Sequence, residues 1–201
     1  MPLKIDYPHP ITLDYRIGEE IFNGLPDSLV VETKYLMLQV MPEESANGQT
    51  ETWTKIITRP AFEIAFLIML NGELHLMLMQ KRRKANDSLL TKLPGGYFSD
   101  DLNYDRLMEE KVLHDTGIRF SSTDLVQLNS VIGHSEIHTP ISLFYTTAWE
   151  VTGAPKDGIT IEAVPFRHAV ALAINGGIEN DSSFSAIMQL FVLQQWKRLK
   201  I

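Results

Sequence analysis

The chain has 201 residues, 44% of them hydrophobic and 21% charged, the usage of a globular domain long enough to bury its own core. It contains no cysteine, which excludes a disulfide framework, a zinc–thiolate site and a thiol nucleophile. The formal net charge of -7 argues against nucleic acid or an anionic membrane as partner.

Residues 1–28 are rich in Pro, Asp and Gly without a period, and read as an irregular arm with one short helical turn around Gly18 to Phe22. From residue 29 onward the texture is that of a folded domain. Val30 to Val40 reads as one long strand, and Asn47-Gly48 within a polar stretch signals a turn to the alternating strand Glu51 to Thr58. Two apolar strands follow, Phe62 to Leu70 and His75 to Gln80, joined by Asn71-Gly72. The longest apolar run, Ile64 to Leu70, is far short of the roughly 20 residues that span a bilayer. No apolar signal-peptide core follows Met1, so a cytoplasmic address is expected.

The segment Leu93-Pro94-Gly95-Gly96 leads into a polar loop and then a helix with good end signals. Asn103 is placed to cap its N-terminus, and Gly117 sits where a left-handed C-terminal glycine belongs. Tyr104, Leu107 or Met108, and Val112 form its apolar stripe. Leu125 to Ile132 and Leu143 to Val151 read as strands, Val164 to Ala173 as a short helix, and Ser183 to Lys200 as a long amphipathic helix. The order of elements predicts an α/β (α+β) domain, a mixed sheet between helices with an N-terminal β-hairpin.

The stretch from Gly96 to Ile118 resembles the Nudix box. Gly96 stands at the first glycine of that signature, Val112 at its internal apolar position, and Gly117-Ile118 at its end, with no gap. Arg59-Pro60-Ala61, the strand ending in Lys81-Arg82, and Gly176-Gly177-Ile178 before a C-terminal helix resemble features of Nudix proteins of the ADP-ribose pyrophosphatase type. The charged positions depart from the pattern. Leu102 replaces the first Glu, Glu110-Lys111 stands for Arg-Glu, and His114-Asp115 for Glu-Glu, so the box is degenerate.

The resemblance implies a nucleotide-type small molecule as ligand, an ADP-ribose-like nucleoside diphosphate linked to another moiety. It also implies a homodimer, built in that group by the hairpin that residues 29–60 supply here. An active enzyme of this kind is a pyrophosphohydrolase holding Mg²⁺ or Mn²⁺ on clustered carboxylates, whereas an inactive one needs no metal. Residues 111, 114 and 115 share one helix face by their spacing, and Lys111 puts a cation at its centre. The candidates for catalysis are Asp115, Glu110 and Glu136, with Asp115 and Glu110 as metal ligands. Arg59, Arg82, Gly95, Gly96, Lys111 and His114 are candidates for substrate binding, while Tyr97 or Phe98 either stacks on a base or packs in the core. Two readings follow: altered or weak hydrolysis of a pyrophosphate bond, or a catalytically inactive ligand-binding or dimeric scaffold module. Loop residues His134 and His138 are better read as part of a solvated loop, and Glu162, within a strand-like stretch, is a weaker candidate.

Overall fold

The computed structural model describes residues 60–82, 88–98, 103–129 and 141–201 with their side chains. It also describes the strand backbones at 3–4, 29–32, 36–44, 50–58, 131–132 and 137–138 and the first residue of the strand beginning at Pro140. The proposed helical turn at 18–22 and the loop residues 133–136 lie outside these.

Two compact units divide the chain. The first, residues 1–59 with 132–139, carries one sheet. Its strands are β1 (Leu3–Lys4), β2 (Leu29–Glu32), β3 (Leu36–Glu44), β4 (Thr50–Thr58) and β12 (Ile137–His138), side by side in that order. β3 and β4 form the hairpin that Asn47-Gly48 foretells, closing from Glu44 to Thr50. The single strand expected over Val30 to Val40 is two, because β2 and β3 are antiparallel and the chain reverses between Glu32 and Met37. The polar pair Thr33-Lys34 interrupts the apolar run there.

The second unit, residues 60–131 with 140–201, is a mixed sheet between helices. Its central strands are β5 (Ala61–Leu70), β6 (Glu73–Arg82), β13 (Pro140–Thr146) and β15 (Ile159–Pro165). β13 runs parallel to β5, while β6 is antiparallel to both β5 and β15. Short strands β7 (Leu89–Lys92) and β8 (Gly95–Tyr97) pair with β6 and β5. The β5–β6 turn has positive φ at both Asn71 (51°) and Gly72 (79°), the geometry that suits a two-residue hairpin.

Alternation along β5 explains the layers, since successive side chains leave opposite faces of a strand. Ala65 and Leu67 join Leu76, Leu78 and Leu143 under α2 (Phe166–Ile174) and α3 (Asp181–Gln195). Phe62, Ile64 and Phe66 join Met77, Phe98, Met108 and Val112 under α1 (Tyr104–Thr116). A central strand buried on both faces reads as continuous apolar sequence, as this one does.

Two strands expected from the sequence are broken by side-chain hydrogen bonds. Over Leu125 to Ile132 only β10 (Val126–Gln127) and β11 (Val131–Ile132) form. Between them the Gln189 side chain accepts from Asn129 N at 2.9 Å and donates to its carbonyl at 3.2 Å, taking the backbone groups a ladder would need. Over Leu143 to Val151, β13 ends at Thr146, whose Oγ1 accepts from Ala148 N at 3.0 Å. The following residues form β14 (Trp149–Val151), which pairs instead with β9 (Ile118–Phe120).

Candidate functional site

Helix α1 starts and stops where its sequence directs. The Asn103 side chain accepts from Arg106 N at 3.2 Å, and Gly117 takes φ 72° with its N–H donating to Leu113 O at 2.9 Å. Met108, Val112, Asp115 and Thr116 are its buried residues. Asp115 is thus the box acid that the packing draws against the sheet, with 6% of its surface exposed.

Both carboxylate oxygens of Asp115 are occupied. Lys111 Nζ lies 2.7 Å from Oδ2, and His114 Nδ1 lies 3.0 Å from Oδ1. Burial raises the pKa of this carboxyl, but the hydrogen bonds from Lys111 and His114, with the charges of Lys111 and Lys81, outweigh it and hold the group below its ordinary value near 3.8. Strand alternation puts Lys81 on the face of β6 that carries Met77, the face beneath α1. Of the four consecutive basic residues Lys81 to Lys84, Lys81 therefore adds its charge to the site; Arg82 is exposed, and Arg83 and Lys84 lie outside the described residues.

A depressed carboxylate pKa stabilises the fold above the unfolded value, and that stabilisation is lost as pH falls through the folded value. The wild type is therefore expected to lose denaturant stability progressively below about pH 3.8 through Asp115, and Asp115→Asn to lack that component. Urea titrations of both proteins at stepped pH check this; identical acid limbs would remove Asp115 from the account.

The glycines have steric reasons. A Cβ on Gly95 would lie 2.2 Å from Phe62 O, so its absence lets β8 close on β5. A Cβ on Gly96 would lie 3.1 Å from Lys111 Cγ and 3.2 Å from its Cε, so Gly96 makes the space in which the lysine stem lies. Tyr97 is exposed, whereas Phe98 is buried and packs against Phe62 and Tyr104 at centroid distances of 5.1 and 4.6 Å. Phe98 is a core residue, and Tyr97 keeps its ring available.

The other acidic candidates point elsewhere. Glu110 is bound to Arg106 Nε at 2.6 Å on the solvent side. Glu109 is half-buried and accepts from Ser122 N at 2.7 Å, capping a short 3-10 turn. Glu136 and Arg59, together with Asp100, Asp101, Leu102, His134 and Ser135, lie outside the described residues; His138 is described only as strand backbone. Among the described residues no group of three or more His, Asp or Glu is placed to hold a metal ion. Among the described residues the donor set does not fit Mg²⁺ or Mn²⁺, which require several free oxygen ligands: Asp115 is spent on two nitrogen donors, and an ammonium stands beside it.

Sequence reading missed Glu63, which is 3% exposed on β5. Its Oε1 lies 3.0 Å from Lys92 Nζ, and its Oε2 accepts from Ser183 Oγ at 2.6 Å. Ser183 Oγ in turn accepts from Leu93 N at 3.0 Å. This buried network ties β5, β7 and α3 together directly before the Pro94-Gly95-Gly96 entry to the site. A lone Glu in an apolar strand was its one signal.

No family model matches the chain, and no curated protein matches it. The fold is similar to a crystal structure of an ADP compounds hydrolase, with a TM-score of 0.63 and 13% sequence identity over 88% of this chain and 99% of that one. The chain has a Nudix-like fold, a mixed sheet with helices on both sides. Among the described residues no helix is long and apolar enough to cross a membrane.

Proposed function

We propose that this protein binds a nucleoside diphosphate linked to a further moiety, of the ADP-ribose class, and holds its phosphates with side-chain cations in place of a divalent metal. The observation that carries this reading is the Lys111–Asp115 pair at 2.7 Å. An ammonium has three donors and no acceptor, and the contact with Asp115 uses one. The Lys111 side chain remains 44% exposed, which leaves it open to a ligand from solvent. Lys81 adds positive charge on the same side of the sheet, and exposed Tyr97 follows the Gly95-Gly96 turn-in as a stacking surface. The likeness to an ADP compounds hydrolase supports the ligand class, and the occupied Asp115 supports weak hydrolysis or none.

In this reading Asp115 and His114 are positioning residues, which hold the lysine over Gly96. Mg²⁺ or Mn²⁺ has no part in ligand binding, and the protein serves as a binding module.

Isothermal titration with ADP-ribose, in EDTA and in Mg²⁺, tests it, with released AMP followed in parallel. Affinity is expected to be equal in the two buffers. Lys111→Met is expected to weaken it by about tenfold to a hundredfold, the worth of one charge-assisted phosphate contact. Binding that requires Mg²⁺, or efficient Mg²⁺-dependent AMP release, would defeat the proposal.

A further inference from the structure

We infer, on the reading of Lys111 as the phosphate contact, that the buried Glu63–Lys92–Ser183 network is a positioning device for that lysine, fixing the glycine floor along which its stem lies. Ser183 is itself held in place, because the Asn180 side chain that caps α3 accepts from its N–H at 2.9 Å. Its hydroxyl makes two contacts, donating to Glu63 Oε2 in β5 at 2.6 Å and accepting from Leu93 N, just past β7, at 3.0 Å. Lys92, the residue before, reaches the other oxygen of the same carboxylate at 3.0 Å. Consecutive residues are thus tied to one carboxylate–hydroxyl pair, Lys92 by its side chain and Leu93 by its backbone. Ser183 and Leu93 are fully buried and Glu63 nearly so, which leaves little room for water to replace a lost partner.

From this anchor the chain passes straight to the site. Pro94 O accepts from Ile64 N at 2.9 Å. Gly95 lies against Glu63 itself, since a Cβ there would come within 2.9 Å of its Cα and 3.0 Å of its Cγ. Gly96 lies against the Lys111 stem in the same way. Close packing therefore runs from Ser183 through Glu63, Gly95 and Gly96 to the lysine whose Nζ meets Asp115. Stability does not account for the network, because a buried ion pair is often no better for folding than apolar side chains of the same volume. Placement does. A carboxylate bonded at both oxygens has one permitted position, whereas an apolar side chain in the same space could settle in several rotamers.

Replacing the ion pair by apolar side chains of similar length, Glu63→Met/Lys92→Met, separates placement from stability. The urea midpoint of this variant is expected to match or exceed that of the wild type, since no charge is stranded. Two other readouts are expected to change. Without ligand, NMR relaxation of the Lys111 ammonium should show it ordered in the wild type and mobile in the variant. Affinity for ADP-ribose should fall about tenfold, and the same pair of changes made in Lys111→Met should cost no further affinity, because the network acts through that lysine. Ser183→Ala, which removes only a hydroxyl, supplies the same readouts if the double variant fails to fold. An ammonium equally ordered in a folded variant overturns the inference, and so does an equal loss of affinity with and without Lys111. Absence of ADP-ribose binding by the wild type defeats the phosphate reading alone, and the relaxation measurement then decides the positioning.

Discussion

Replacing Lys92 by methionine is expected to cost about 3 kcal/mol of folding stability, because removing one member of a buried ion pair strands the other. The stranded group is Glu63, 3% exposed and held otherwise, among the described residues, by Ser183. Its surroundings are the apolar cluster beneath α2 and α3, where a lone carboxylate is poorly solvated. The size of the loss comes from the orphaned charge more than from the attraction that is lost, so the same substitution in a Glu63→Gln background should cost much less. Gln retains an acceptor for Ser183 and carries no charge. Urea unfolding of the single and double variants separates the two causes. Equal losses in both backgrounds would show that Lys92 acts by packing alone.

Gly117→Ala should be of similar severity, about 3 kcal/mol, since it combines a left-handed backbone with a contact that cannot relax. Gly117 has φ 72°, and a Cβ there would lie 2.2 Å from the carbonyl oxygen of Gly153. That oxygen belongs to backbone, and the N–H groups of Thr152 and Gly153 are drawn to Gly117 O at 2.9 and 3.3 Å. Gly72 supplies the control: its φ is 79°, but nothing lies within 4 Å of a Cβ built on it. Gly72→Ala should therefore cost only the conformational penalty, about 1 kcal/mol. Similar losses at the two positions would show that the approach to Gly153 is unimportant.

These two sites mark what can be read from a sequence and what cannot. The ends of α1 were legible because capping is local: Asn103 acts on a residue three along the chain, and Gly117 on one four behind it. The same holds for the Asn71-Gly72 turn and for the apolar texture of β5. The clustering of Lys111, His114 and Asp115 followed from helical spacing. The Glu63–Lys92–Ser183 network did not. The Ser183–Glu63 contact spans 120 residues and the Leu93–Ser183 contact 90, and no spacing rule links positions so far apart. The strand expected over Leu125 to Ile132 failed for a related reason. A side chain 60 residues away, Gln189, decides that Asn129 leaves the ladder.

Glu63 has one more consequence. It is the only charged residue in β5, whose remaining positions are apolar on both sides of the sheet. A strand of that kind could slide past its neighbours by one residue with little change in hydrophobic contact, since either set of side chains finds oil. Sliding would carry the Glu63 carboxylate across to the phenylalanine-rich side, away from Lys92 and Ser183. The buried acid thus acts as an index mark, giving a nearly featureless ribbon a single permitted alignment.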